Sequence, residues 1–170
     1  MSLTTKMVLN LAATLTSAQA LASASVPLSL RQIVELDDGT GAAQADRTFQ
    51  GRRTLAASGS ESLDLAGGLT DPLGVSLTFA RIKLLLIRAA AANVNNVVVG
   101  GAVTNAFATF VADPTDKFVV RPGTTLLLAT SDVDAIGYTV TAGTGDLLQV
   151  ANSGPGTPVT YDIVLIGASA

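Results

Sequence analysis

The chain has 170 residues, a length that suits a single domain able to bury its own core. Apolar residues make up 48% of it and the mean hydropathy is +0.49, which excludes a disordered chain. It contains no Cys and no His, so disulfides, thiolate metal sites and Ser-His-Asp or Cys-His catalysis are excluded within it. The net charge of −3 argues against a protein that mainly holds nucleic acid phosphates.

Residues 1–24 allow two interpretations. Lys6 and the small residues 22–24 fit a secretory signal with a cleavage site, but polar residues such as Asn10 interrupt the apolar stretch that a signal requires. The alternative is an arm or edge strand, because its side chains alternate. Met7, Leu9 and Leu11 would lie on one face of that strand, with Val8 and Asn10 on the other.

The next segments contain short alternating runs separated by turn signals. Strands are predicted over 28–36, 62–66 and 75–80, with turns at 37–41, 67–68 and 70–74. The stretch 42–56 is ambiguous, since 42–49 fits a helical turn and 52–56 fits a strand.

The run Leu84–Ile87 is continuously apolar and predicts a strand with both faces buried, in a central position between sheets or at a subunit contact. A helix over 82–92 is the competing interpretation, because alanines 89–92 favour a helix. Arg88 interrupts the longest apolar stretch, which excludes a transmembrane helix there.

The second half predicts strands at regular intervals. These lie at 94–99, 117–121, 124–130, 136–142, 145–151 and 159–166. A spacing of about 8–12 residues between strand starts is typical of sandwiches and barrels. The sequence therefore predicts an all-β protein: a two-sheet antiparallel sandwich of jelly-roll type, with an N-terminal arm or edge strand at 1–27 and one β-sandwich domain at 28–170.

Carboxylates are the strongest acid–base groups that remain. Glu35 and Glu61 are the only glutamates and thus the candidate pair for a glycosidase, but the absence of Trp removes the usual sugar-stacking platform. Asp132 and Asp134 have the spacing of calcium ligands, yet the positions that follow do not complete an EF-hand loop. Asp37-Asp38 and Asp113 with Asp116 are interpreted as turn formers. The sequence predicts no catalytic, cofactor-binding or metal-binding residue.

Arg47, Arg52 and Arg53 form the one basic cluster. It could be a solvated loop, or it could meet an acidic surface of a partner. Residues 89–170 offer such a surface, since six Asp against two basic residues give a net charge of −4. Opposite charges on two ends of one subunit would set the register of a homo-oligomer.

Much of the chain resembles a group of small virion structural proteins of tailed bacteriophages. The resemblance is carried by RIKLLLIRAAAANVNNVVVGGA, DKFVVRPGTTLLLA and GYTVTAGTGDLLQVANSGPGTPVTYDIVLIG, and by the earlier TLAASGSESLDLAGGLTDPLG. The first three segments lie within residues 81–170, and this stretch together with the earlier segment covers about two-thirds of the sequence, whereas residues 1–30 match less distinctly.

This resemblance implies a β-sandwich, jelly-roll in type, on the capsid surface of a virion, where it would serve as a cement, decoration or head-spike-base protein. The expected partners are the chain itself, as a homotrimer or else a pentamer, and the major capsid protein. Contact with nucleic acid or with a membrane is not expected. The alternatives are a tail, baseplate or receptor-binding component, and a secreted β-sandwich adhesin.

Overall fold

The structure, a computed structural model, describes residues 2–170, and within that range it consists of strands, turns and loops without a helix. The prediction of an all-β protein is therefore confirmed. The strands are β1 (Thr5–Ala18), β2 (Ser23–Leu36), β3 (Arg47–Leu55), β4 (Ser60–Asp64), β5 (Leu69–Thr70), β6 (Ser76–Leu77), β7 (Arg81–Ala89), β8 (Val97–Val99), β9 (Phe118–Val120), β10 (Thr125–Ala129), β11 (Tyr138–Thr139), β12 (Leu147–Asn152) and β13 (Val159–Ala168).

Strands β1 and β2 form a separate two-stranded antiparallel sheet. They pair along their whole length, from Thr5 opposite Leu36 to Ala18 opposite Ser23. Fourteen residues per strand give a hairpin roughly 45 Å long at about 3.4 Å per residue. The boundary predicted between residues 27 and 28 falls inside β2, so residues 28–36 belong to the hairpin.

The largest sheet has the strand order β10-β7-β13-β3, with β11 beside β7. Strand β7 lies between β10 and β13. Leu85 and Ile87 project into the main hydrophobic cluster, while on the other side of the strand Leu84 is buried and Leu86 is half-buried, so its continuous apolar run corresponds to a strand covered on both faces. The competing helix over 82–92 does not form. Its alanines lie at the end of β7 and in the turn that follows, where they do not oppose the extended backbone.

A four-stranded sheet has the order β4-β12-β8-β9, and β5 pairs with β6. One hydrophobic cluster contains side chains from both larger sheets. Leu85, Ile87, Ile163 and Leu165 come from the five-stranded sheet, and Val97, Val99, Leu148 and Val150 come from the four-stranded one. Short aliphatic side chains thus form most of the core, as a composition with 4% aromatic residues requires.

The ambiguous stretch 42–56 resolves into a turn followed by strand β3 over Arg47–Leu55. In the second half, each of the six predicted strands overlaps a strand of the structure, although β8, β9 and β11 have only two or three residues.

A register shift in β13 lies between Ile166 and Gly167. A Cβ atom at Gly167 would overlap the carbonyl oxygen of Arg81 and would lie 2.8 Å from the ring of Phe79. Only glycine allows β13 and β7 to approach each other this closely.

Candidate functional site: the N-terminal hairpin

One side of the β1–β2 hairpin is almost entirely apolar. Residues paired directly across two antiparallel strands project to the same side of the sheet, so the register sorts the side chains. Between the Met7–Val34 pair and the Leu15–Val26 pair, this side carries nine apolar residues and a single amide, Gln32. We call it the apolar face; it comprises Met7, Leu9, Leu11, Ala13, Leu15, Val26, Leu28, Leu30, Gln32 and Val34.

The opposite side, the polar face, carries all the charges of the hairpin. These are Lys6, Arg31 and Glu35, and the threonines and serines at 14, 16, 25 and 29 share that side with them. One aliphatic pair, Val8 with Ile33, also lies there. The hairpin is therefore an amphipathic two-stranded sheet.

The large side chains of the apolar face are open to solvent. Six of them keep between 41% and 74% of their surface exposed, which is far more than a core position allows. They are Leu9, Leu11, Leu15, Val26, Leu28 and Leu30. Leu21, in the loop at the tip, is fully exposed as well. A contiguous apolar strip of this kind marks an interaction surface.

The base of the hairpin is the part that packs on the rest of the chain. Val34, Leu36 and Ala45 form a small buried cluster, against which Leu3, Met7 and Ile166 pack. Since Met7 and Val34 belong to the apolar face, the surface buried at the base continues along the exposed arm.

Polar contacts fix the same junction. The Leu3 N–H donates to Asp38 Oδ1 at 3.0 Å, and the Ala45 N–H donates to the Asp37 carbonyl at 2.8 Å. Asp46 accepts from the backbone N–H of Ser169 at 2.8 Å and from its hydroxyl at 2.6 Å. Asp37-Asp38, expected to be turn formers, thus tie the end of the hairpin to the adjoining loop.

Glu35 lies on the polar face near that base. Lys6 Nζ donates to Glu35 Oε1 at 2.5 Å, and this hydrogen bond, with the charge of Lys6, holds the pKa of Glu35 below its ordinary value. Both side chains are more than half exposed. Glu35 is thus an ionised surface carboxylate, whereas a glycosidase acid requires an apolar pocket that keeps it protonated.

Glu61 lies in a different sheet and connects the two larger sheets. Its Oε1 accepts from the Tyr161 hydroxyl at 2.8 Å and its Oε2 accepts from Arg53 at 2.9 Å. Tyr161 is fully buried; burial first, and then the bond to Glu61, raise the pKa of its hydroxyl well above the ordinary value. The hydroxyl therefore stays a donor. The structure does not bring Glu35 and Glu61 together, since one lies in the hairpin and the other in β4.

The three arginines that are close in sequence do not form one basic patch. Arg52 and Arg53 are consecutive in β3, so they project from opposite sides of the sheet. Arg52 shares the Asp162 carboxylate with Arg88, at 2.7 Å and 2.6 Å, and these hydrogen bonds lower the pKa of Asp162 to about 2. Arg47 contacts its neighbour Asp46 at 3.1 Å. Each arginine of the cluster thus has a carboxylate partner within the chain.

Of the two aspartates with calcium-like spacing, Asp134 shapes a loop. Asp134 Oδ1 accepts the N–H groups of Ile136 and Gly137 at 2.8 Å and 3.0 Å, which lowers the pKa of this carboxyl. Below the loop, Lys83 is buried and its ammonium donates to the Asp134 carbonyl oxygen. Burial lowers the pKa of Lys83. Within residues 2–170 no group of three His, Cys, Asp or Glu side chains is placed to hold a metal ion.

A pocket of about 620 Å³ lies beside the hairpin base. It is lined by Leu3, Arg47 and residues from the segment 71–77, and its three carboxylates are Asp38, Asp46 and Asp71. All three carboxylates are engaged locally: Asp38 accepts the N–H of Leu3, Asp46 binds Ser169, and Asp71 Oδ1 accepts the N–H groups of Leu73 and Val75, both at 2.8 Å. The pocket is a cleft between the segments that flank the hairpin and the hydrogen-bonded turn at residues 71–75.

Comparisons with protein-family models, with curated proteins and with solved structures find no match. In residues 2–170, no helix reaches the length and apolar character needed to cross a membrane. The amphipathic hairpin is therefore the candidate functional site of residues 2–170. The predicted alternation of Met7, Leu9 and Leu11 with Val8 and Asn10 agrees with the two faces of β1, but the pairing of β1 with β2 was not predicted.

Proposed function

We propose that this chain is a bacteriophage virion structural protein that binds and stabilises the capsid shell through surface contacts, as a cement, decoration or head-spike-base protein. The observation that carries the proposal is the hairpin, which holds six large aliphatic side chains away from the core. A chain that places so much apolar surface outside its core is suited to association.

The finer architecture belongs to the same proposal. Because the two larger sheets share one hydrophobic cluster, we interpret the body as a two-sheet sandwich of jelly-roll type, with the hairpin as its arm. The sequence segments that resemble phage virion proteins fall within this body, and they include strands β7, β10, β12 and β13.

Stabilisation of a shell by such a protein is additive. Each subunit would bridge neighbouring capsomers, and each contact of roughly 800 Å² per partner would resist outward pressure without catalysis. Closed symmetry follows from a capsid lattice, so we propose a homotrimer at a local three-fold position, or else a pentamer at a vertex. The major capsid protein is the second partner.

Quantitative mass spectrometry of purified particles tests the proposal. Hundreds of copies per particle would identify a cement protein and a few tens a vertex spike. A handful would assign the chain to the tail instead, and absence from purified particles would overturn the proposal. Particles assembled without the protein should release DNA at lower temperature, and adding the purified protein should restore their resistance.

The hairpin provides a matched variant for this test. Met7 and Val34 are direct partners, so an Asn-Gly turn can replace residues 8–33 and keep the packed base. We expect the shortened protein to fold but to protect particles poorly. Full protection by it would remove the hairpin from the function.

A further inference from the structure

We propose that the apolar face of the hairpin packs against the same face of other copies of this chain, so that the hairpins form the shared axis of a closed homotrimer. This deepens the proposed function, because it names the surface through which the protein associates with itself. It also extends to a second molecule the packing that already buries Val34 and partly covers Met7 at the base.

The hairpin needs a partner to be stable in water. An isolated two-stranded sheet is marginal, and stability usually requires a third strand or a packed face. Beyond its base, the hairpin has neither among residues 2–170, where β1 and β2 pair only with each other. The six exposed side chains offer on the order of 500 Å² of apolar surface, which approaches the roughly 800 Å² that each partner buries in a stable interface.

The chemistry of the two faces favours a second copy as that partner. A matching protein must itself carry an uncovered apolar strip of similar length, and soluble proteins rarely do. A second copy carries one, as the exposures along β1 and β2 demonstrate. When apolar faces meet, Lys6, Arg31 and Glu35 all remain on the outer, hydrated side. No charge is then buried.

Single cysteines test this contact directly, because the chain has none of its own. Cyclic symmetry brings the same residue of every copy to one level around the axis. Leu15→Cys places a thiol on the apolar face, and Thr16→Cys, its neighbour on the polar face, is the matched control. Under mild oxidation at micromolar concentration, we expect at least about tenfold more covalent dimer from L15C than from T16C, since a disulfide requires close Cβ atoms. Equal cross-linking would overturn the proposal.

A second experiment measures mass in solution. The wild-type chain should form a trimer of about 51 kDa, three times its 17.1 kDa. Leu11→Thr with Leu30→Thr removes one cross-strand pair from the apolar face and keeps β-propensity, and we expect a 17.1-kDa monomer. Val8→Thr with Ile33→Thr removes a comparable pair from the polar face and should leave the trimer intact. A monomeric wild-type chain, or equal dissociation of both variants, would contradict the proposal.

These results separate the proposal from the proposed function. A trimer joined through the apolar face but absent from virions would refute the virion function and leave this contact standing. A monomeric chain that still protects particles would refute this contact and leave the virion function standing. Circular dichroism of each variant shows whether the body has kept its β structure, and the cysteine variants remain informative if the threonine variants do not fold.

Discussion

The contact between Tyr161 and Glu61 allows a sharp test of what holds the two larger sheets together. Tyr161→Phe removes only the hydroxyl, which donates to Glu61 Oε1 at 2.8 Å. Glu61→Ala removes the acceptor and leaves that hydroxyl buried, and it also releases Arg53. The double variant removes both groups, so that no polar atom of the pair is left without a partner.

The magnitudes follow from burial. A hydrogen bond to a charged acceptor contributes about 1.5 kcal/mol, which is the expected cost of Tyr161→Phe. Glu61→Ala should cost about 3 kcal/mol, because an unpaired buried hydroxyl is added to the loss of a partly exposed ion pair. The double variant should cost about 2.5 kcal/mol, since its phenylalanine leaves no hydroxyl to satisfy. The expected coupling energy is therefore about 2 kcal/mol.

Urea unfolding at a fixed protein concentration, followed by far-ultraviolet circular dichroism, measures the four free energies of unfolding. The hydroxyls of Thr54 and Thr160 are 3.0 Å apart but exposed, so the corresponding valine cycle should give a coupling below about 0.5 kcal/mol. If the Glu61 and Tyr161 effects add to within that same margin, the two sheets are not joined by this bond and the reasoning fails.

Three further outcomes are expected. Asp162, with a folded pKa of about 2, should contribute about 1 kcal/mol to the free energy of unfolding after allowance for its exposed arginine partners. This stability is present above about pH 4 and is lost as the pH falls through 2. The melting temperature of Asp162→Asn should therefore fall less than that of the wild type between about pH 5 and pH 2. Gly167→Ala should lower the free energy of unfolding by about 3 kcal/mol. The control is Gly51→Ala, whose Cβ would meet nothing closer than 3.7 Å and which should change that free energy by less than about 0.5 kcal/mol. Equal effects of the two variants would refute the close approach of β13 and β7. Gln32 is the single amide of the apolar face, and a buried polar group of this kind can fix the register in which copies associate. In sedimentation experiments, Gln32→Leu should therefore associate more tightly and form several species. A single unchanged trimer would mean that the amide does not set the register between copies.

Most strands could be predicted from the sequence because each depends on local alternation and on turn residues. The connection between β1 and β2 could not be predicted in this way. Residues 19–22 read Gln-Ala-Leu-Ala and contain none of the Gly, Pro, Asn or Asp residues that mark a tight turn. The sequence therefore predicted strand character on either side of this loop without indicating that the two strands pair over fourteen positions.

The functional features depend on contacts that are distant in sequence. The alternation of Leu9 and Leu11 placed them on one side of a strand, but that side became an apolar face only when the register added Leu28 and Leu30. Tyr161 and Glu61 are 100 positions apart, and nothing local relates them. Arg52 and Arg53 are the opposite case: they are adjacent in sequence and were predicted to form one basic cluster. Successive residues of a strand project from opposite sides of a sheet, so the two side chains are separated.

The open edges of the hairpin favour a ring over a simple pair of copies. Each strand has fourteen residues, and its outer edge pairs with no other strand in residues 2–170. Long exposed edges invite uncontrolled addition of strands, and full closure is the arrangement that abolishes them. Two hairpins stacked face to face would cover the apolar side chains but leave their edges open. Three hairpins around an axis can set β1 of one copy beside β2 of the next, so that one arrangement covers the apolar faces and pairs the edges.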